Sequence, residues 1–187
     1  MRVFIGVELP NAVRSVCAAM MQELAPQMQG RWMLEENLHL TLAFIGEIEP
    51  LRMDEIEAIM HEATERFAPP VMMLAGVGVF EKKRDAIVHA RVQCKPSAAP
   101  LHDFLIAALR EAGVSADPGP FSPHITLVRK AQRADGWDML EGMVAPPAAF
   151  TPTHLTLFES ARDAKNVLRY TPIRRCVWRN NANYVEF

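Results

Sequence analysis

The spacing of apolar residues divides the chain into short strands and three longer helices. Apolar side chains recur every three or four residues over 11–28, 50–67 and 100–112, which predicts helices with one buried face. Continuous or alternating apolar runs predict strands over 2–9, 31–34, 38–45, 71–80, 86–92, 153–158 and 168–178, with one more beginning at His124. Hairpin-type connections outnumber crossovers, so we predict an α+β fold with antiparallel or mixed sheets.

The tetrapeptide His-apolar-Thr-Leu occurs three times, at 39–42, 124–127 and 154–157, each time in a predicted strand. Side chains alternate between the two faces of a strand, so a histidine and a threonine two residues apart share one face. Two such strands set side by side would present two imidazoles and two hydroxyls to one cleft. That set suits a phosphodiester, because one imidazole takes a proton, the other gives one, and the hydroxyls hold the non-bridging oxygens.

The flanking residues rank the three copies. Arg129 follows the second copy, and a cation at this point would neutralise a phosphate. Glu159 follows the third copy, where a negative charge is unfavourable beside a phosphate, so His154 is the weakest candidate. On an ideal strand Arg129 points away from His124, which ranks it below the motif threonines as a substrate contact.

Composition narrows the class of protein. Half of the 187 residues are hydrophobic, enough for one compact domain or two small lobes. The formal net charge of −2 lacks the basic excess of proteins that coat duplex nucleic acid, but it allows binding of an RNA end or a nucleotide. Three cysteines without metal-type spacing, no signal-like N-terminus and no apolar run of membrane-spanning length predict a cytoplasmic protein without membrane contact.

The longer motifs resemble one known family. The segments 39–47 (HLTLAFIGE) and 121–129 (FSPHITLVR) are similar to the two signature motifs of the two-histidine (2H) phosphoesterases, in particular the bacterial and archaeal RNA 2′,3′-cyclic phosphodiesterases, also called 2′-5′ RNA ligases. The opening strand, the sequence Leu-Phe-Glu-Ser at 157–160 and Tyr170 match further elements of that family. The resemblance covers almost the whole chain, although the loop 161–168 lacks the glycine usual before the tyrosine.

The resemblance implies a two-lobed, duplicated fold in which residues 1–187 form a single domain, with sheets flanking a central cleft and helices outside. It implies hydrolysis of a terminal 2′,3′-cyclic phosphate, on RNA or on a small nucleotide, to a 2′-phosphate, with no metal and no other cofactor. With an alcohol in place of water, the same chemistry gives ATP-independent 2′-5′ ligation. The implied site consists of His39 as proton donor, His124 as proton acceptor, and Thr41, Thr126 and Arg129 as substrate-binding residues. We expect a monomer whose partner is its substrate, an RNA 3′ end or a small cyclic nucleotide.

Two alternatives stay open at this point. The same cleft in a non-catalytic module would bind nucleotides or RNA ends without turnover. In a metal hydrolase, His39, His124 and His154 would ligate zinc, although no carboxylate or cysteine recurs beside them. Aromatic residues near the motifs, Trp32, Phe44 and Phe121, are either core or surfaces on which a base stacks.

Overall fold

Nine strands and four α-helices form the described part of the chain, residues 1–133 and 136–178 of a computed structural model. The strands are β1 (Arg2–Glu8), β2 (Gln29–Trp32), β3 (His39–Glu47), β4 (Val71–Glu81), β5 (Ala86–Lys95), β6 (His124–Gln132), β7 (Ala149–Phe150), β8 (His154–Arg162) and β9 (Leu168–Val177). The helices are α1 (Asn11–Leu24), α2 (Met53–Arg66), α3 (Ala99–Glu111) and the single turn α4 (Asp138–Glu141).

The predicted helices are present, but two of them are shorter than predicted because a 3₁₀ turn replaces part of the α-helix. Helix α1 ends at Leu24, four residues before the predicted end, because Pro26 cannot continue the hydrogen-bond pattern, and Ala25–Gln27 forms a 3₁₀ turn instead. Similarly, Pro50–Arg52 is a 3₁₀ turn that leads into α2. The predicted strands lie within two or three residues of their observed bounds, apart from β8, which runs on to Arg162.

The strands form one sheet in the order β7-β4-β5-β6-β3-β1-β8-β9, and β2 pairs with the outer part of β6. Every strand pair in the described residues is antiparallel. The central pair β6 and β3 has three strands on either side, so the order is symmetric about it. This symmetry matches the predicted duplication, and the two halves belong to one continuous sheet.

The two motif strands meet at the centre of this symmetry. Leu40 of β3 lies directly opposite Ile125 of β6 in an antiparallel register. The motif residues on either side of this pair therefore face each other crosswise, His39 towards Thr126 and Thr41 towards His124. A local two-fold relation thus brings the two tetrapeptides together, as the repeat in the sequence indicated.

The apolar residues of the two motifs point into the core. Leu40, Leu42, Ile125 and Leu127 are at most 2% exposed. Helix α3 contacts β3, and α1 contacts β6, while α2 packs on α3 and on β9. The helices therefore cover the apolar face of the sheet and leave the histidine–threonine face for a site. None of the helices in the described ranges combines the length and apolar composition of a membrane-spanning helix.

Candidate active site

His39 is held between two hydrogen bonds at the start of β3. Its side chain is only 8% exposed. Nδ1 lies 2.7 Å from the carbonyl oxygen of Asn37, and Nε2 lies 3.0 Å from the hydroxyl of Thr41. Because a carbonyl oxygen only accepts, Nδ1 carries a proton, and in the neutral ring Nε2 accepts a hydrogen bond from the threonine.

His124 repeats the first of these hydrogen bonds at the start of β6. Its Nδ1 donates to the carbonyl oxygen of Ser122 at 2.7 Å, two residues earlier in the chain, as in the first motif. The neutral ring therefore has its lone pair on Nε2, which leaves that atom able to take a proton. Thr126 follows on the same face and is 7% exposed. The two histidines thus share one tautomer and one way of being held.

Burial lowers the proton affinity of both histidines. Loss of solvation lowers the pKa of His39 to about 4, the Asn37 carbonyl raises it, and the charges of Arg129 and His124 lower it further. The pKa of His124 is also lowered, first by burial and then by Arg129, against the Ser122 carbonyl, which raises it. The positive charge of Arg129 thus contributes to the lowered pKa of both imidazoles, by less than burial does.

Arg129 faces the cleft, so the alternation expected of an ideal strand is wrong at this position. The register between β5 and β6 skips Leu127 and resumes with Val88 opposite Val128. This β-bulge reverses the alternation beyond it. Arg129 accordingly lines the same cavity as His39.

A cavity of about 590 Å³ opens on the His39 side of the site. Its walls combine an imidazole and a hydroxyl with three guanidinium groups and aromatic rings; they include Arg2, Phe4, His39, Thr41, Phe44, Arg129, Arg162 and Tyr170. His124 and Thr126 lie on the neighbouring strand, outside this lining. Phe44 is 37% exposed and has the Arg2 guanidinium 5.1 Å from its ring centre. Phe121 instead stacks on His102 at 4.7 Å, against the core.

Aromatic rings surround His39. The ring centres of Phe4, Tyr170 and Phe158 lie 4.6, 4.9 and 5.7 Å from that of the histidine. Asn37 ties this group together: its side-chain amide donates to the Leu168 carbonyl, and its side-chain oxygen accepts from the backbone N–H of Tyr170. The residue whose carbonyl orients His39 therefore also holds β9 in place.

A different set of rings contacts His124, and no sequence motif indicated these rings. His89 of β5 lies opposite Thr126, and its ring centre is 5.1 Å from that of His124. Phe80 stacks on His89 at 4.1 Å and meets His124 edge-on at 4.9 Å. His89 is 4% exposed, and burial lowers its pKa to about 4. Only the strand order brings these residues together.

Most of the chain matches the sequence model of a known superfamily. The model of the 2′-5′ RNA ligase superfamily matches residues 11–164. The chain belongs to this superfamily. The resemblance indicated by the motifs is thereby confirmed.

Individual members of the superfamily are similar over most of this chain. An RNA 2′,3′-cyclic phosphodiesterase of Escherichia coli is 29% identical over 179 residues, which cover 93% of this chain and 94% of that protein. One from Geobacillus stearothermophilus is 28% identical over 161 residues, 84% of this chain; the chain spans about half (51%) of that longer relative. The crystal structure of E. coli LigT complexed with 3′-AMP superposes with a TM-score of 0.68 at 25% identity, covering 94% of this chain and 97% of that chain. The predicted α+β fold of this family is confirmed.

In this member of the superfamily the third tetrapeptide lies away from the cavity beside His39. Strand β8 is separated from β3 by β1. Thr156 is fully buried and donates to the Glu8 carboxylate at 3.0 Å, while His154 contacts the Thr153 hydroxyl at 2.8 Å and lines a separate cavity. The third copy therefore makes structural contacts between β1 and β8.

The zinc arrangement proposed from three histidines is not formed by the described residues. In that part of the chain, the metal-type side chains that come within 4.8 Å of one another are Glu57, His61 and Cys176, on α2 and β9. Glu57 also pairs with Arg174 at 3.0 Å. The three motif histidines do not converge in this way, because β1 separates β8 from the two central strands.

Proposed function

We propose that this protein hydrolyses 2′,3′-cyclic phosphates to 2′-phosphates in a cleft between β3 and β6. The observation that carries the proposal is the crosswise pairing, about Leu40 and Ile125, of two histidine–threonine motifs whose histidines both donate from Nδ1 to a carbonyl two residues earlier. The relatives named as RNA 2′,3′-cyclic phosphodiesterases, and a solved relative that binds 3′-AMP, support the same chemistry and an RNA or nucleotide substrate.

In the proposed reaction, His124 acts as the base. Its neutral Nε2 takes a proton from water, the water oxygen attacks phosphorus, and the bond from phosphorus to the 3′ oxygen breaks. His39, protonated on Nε2, gives that proton to the departing 3′ oxygen. The product carries a 2′-phosphate and a 3′ hydroxyl, so protons and charges balance.

The threonines and Arg129 would stabilise the charge on phosphorus. The hydroxyls of Thr41 and Thr126 donate to the non-bridging oxygens, and Arg129 offsets their negative charge. The bound anion also favours the protonated form of His39, whose pKa of about 4 leaves it neutral at pH 7 in the free protein. Substrate binding therefore supplies the condition under which His39 becomes an acid.

We further propose a substrate, a cellular compartment, a ligation reaction and an oligomeric state for this activity. We propose RNA 3′ ends as the substrate in a reducing cytoplasm, which the three free cysteines support. Reversible 2′-5′ ligation follows when a 5′ hydroxyl replaces water, and Thr41 and Arg129 would hold the phosphate in the same way. Residues 1–187 would act as a single domain and as a monomer.

The test is incubation of a short RNA ending in a 2′,3′-cyclic phosphate with the protein in the presence of EDTA. We expect a 2′-phosphate product, and a loss of at least 10²–10⁴-fold in His39→Ala and in His124→Ala. His154→Ala is the matched control, since it lies in a separate cavity, and should retain the parent rate. Binding of the RNA without turnover by the parent protein would instead establish the non-catalytic module.

A further inference from the structure

A second groove adjoins the catalytic cavity. It has a volume of about 530 Å³, and Arg129, Arg162 and Leu168 line both spaces. The two cavities therefore meet along a shared wall. An RNA strand that extends from the cavity beside His39 into this groove would pass the guanidinium groups of Arg129 and Arg162.

The outer wall of this groove adds a third arginine. Arg31 of β2 lies directly opposite Arg129 of β6, and both side chains are exposed. Like charges directly opposite each other on neighbouring strands are destabilising. Among the described residues neither arginine forms an ion pair, so an anion placed between them would relieve the repulsion.

Other arginines of the chain show a different arrangement. Arg169 pairs with Asp163 and with Glu36, and Arg175 pairs with Glu8 at 2.6 Å. These basic residues are neutralised within the fold. The guanidinium groups of Arg31 and Arg129 keep their charge available for a ligand.

The groove also offers apolar surface beside its charges. Trp32 is partly buried, and Leu34 is 37% exposed. The next backbone N–H, that of Met33, donates to the Leu127 carbonyl at 2.9 Å and fixes this segment against the second motif strand. A base can pack on such a surface while its phosphate meets the arginines.

The opposite wall is held by its own hydrogen bonds. Asp163 accepts from the backbone N–H groups of Lys165 and Val167, both at 2.9 Å, and Arg162 donates to the Asn166 carbonyl at 2.6 Å. Asn166 adopts φ 61°, so an asparagine makes the turn in a loop without glycine. The groove is thus shaped before a ligand arrives.

We propose that this groove binds the nucleotide on the 5′ side of the terminal one, with its linking phosphate between Arg31 and Arg129. This inference rests on the proposed function and extends it to substrate class: single-stranded oligonucleotides ending in a cyclic phosphate are preferred over a cyclic mononucleotide. A neutral linkage or the loss of Arg31 removes the preference.

The experiment compares kcat/KM for a dinucleotide ending in a 2′,3′-cyclic phosphate with that for the matching cyclic mononucleotide. In the parent protein the dinucleotide should be favoured by about tenfold or more, as expected for one charge-assisted hydrogen bond. Arg31→Ala should bring this ratio close to one, with partial rescue by Arg31→Lys. Arg110→Ala, at the end of α3, is the matched control and should keep the parent ratio.

A second arm uses the substrate in place of the protein. A methylphosphonate in the dinucleotide linkage removes the negative charge, and should cost about tenfold in the parent protein and little in Arg31→Ala. A kcat/KM ratio near one in the parent protein would contradict binding of the second nucleotide in this groove. An equal loss with the methylphosphonate in the parent protein and in Arg31→Ala would contradict it as well. Neither result would affect the proposed hydrolysis. If neither the mononucleotide nor the dinucleotide were hydrolysed, the proposed function would fail, and this inference with it.

Discussion

The two halves of the site hold their histidines in the same way and surround them differently. His39 and His124 both donate from Nδ1 to a carbonyl two residues earlier. His39 is enclosed by aromatic rings from β1, β8 and β9, whereas His124 is half-buried beside His89 and Phe80. The repeated motif fixes the tautomer, and the non-repeated neighbours set the proton affinity.

The deep burial of His39 bears on its proposed role as the acid. The proposed acid, His39, has a pKa of about 4 because of its burial, so at pH 7 it lacks the proton that it must give. The proposed base, His124, needs only its neutral form. The His39 half should therefore depend more strongly on the charge of the bound phosphodiester than the His124 half does.

Among the variants that distinguish the two halves of the site, those that lack a motif hydroxyl should lose the most activity. Thr41→Val and Thr126→Val should each lower kcat by about 10²-fold, because each removes a donor to the charged phosphate oxygens. In the free protein, before a phosphate is bound, the single hydroxyl proton of Thr41 is donated to His39 Nε2, which favours the neutral ring. Thr41→Val alone should therefore shift a limb of the kcat/KM pH profile upward. Thr171→Val on the exposed side of β9 is the control. Identical pH profiles for the two variants would contradict the asymmetry.

The pH dependence of stability should report the burial of His39. The pKa of His39 is about 4 in the folded protein and about 6.5 in an unfolded chain, so the unfolded state binds more protons between these values. Stability is therefore fully present above pH 6.5 and falls, by on the order of 1–3 kcal/mol, as the pH is lowered towards 4.

Urea unfolding at pH 7.5 and pH 5.0 measures this effect. His39→Phe should reduce the difference in unfolding free energy between the two pH values, since the buried group that resists protonation is gone. The exposed His61→Ala provides the control and should keep the parent difference. A His39→Phe protein with an unchanged difference would show that burial of this ring does not govern acid sensitivity.

A smaller effect should come from displacing His89. A methyl group at Gly78 would clash with Nε2 of His89, so Gly78→Ala should displace that ring, which lies beside the His124 ring. We expect about a tenfold loss in kcat. Gly142→Ala, where the added carbon meets no atom within 4 Å, is the matched control. Full activity in Gly78→Ala would show that His89 does not position His124.

The smallest effect should come from the outer ring of the His39 enclosure. Tyr170 meets His39 edge-on with ring centres 4.9 Å apart. Tyr170→Ala should let water reach the imidazole and raise its pKa towards 6.5, while Tyr170→Phe keeps the ring and the low pKa. Titration of the His39 ring by NMR, with and without inorganic phosphate, measures the shift. An unmoved His39 pKa in Tyr170→Ala would place the cause of the low value elsewhere.

Local patterning was sufficient for the three longer helices, for every strand except the two-residue β7, and for the motif pair. The alternation of apolar residues with histidine and threonine predicted both central strands, and the repeat predicted that they would share a face. The α-helical boundaries were less certain where a proline allowed a 3₁₀ turn, as at Pro26 and Pro50. The strands and the shared face of each motif depend on residues close together in the chain, so a local pattern is sufficient to predict them.

Strand periodicity alone places His39 with Thr41, and His124 with Thr126, so the residues able to do the chemistry are evident from the sequence. The other features of the site arise from long-range strand pairing. The bulge at Leu127 turns Arg129 into the cleft, the strand order puts His154 behind β1, and the β5–β6 pairing brings His89 to His124. Each of these depends on which strands are neighbours and in what register, and no local pattern encodes that.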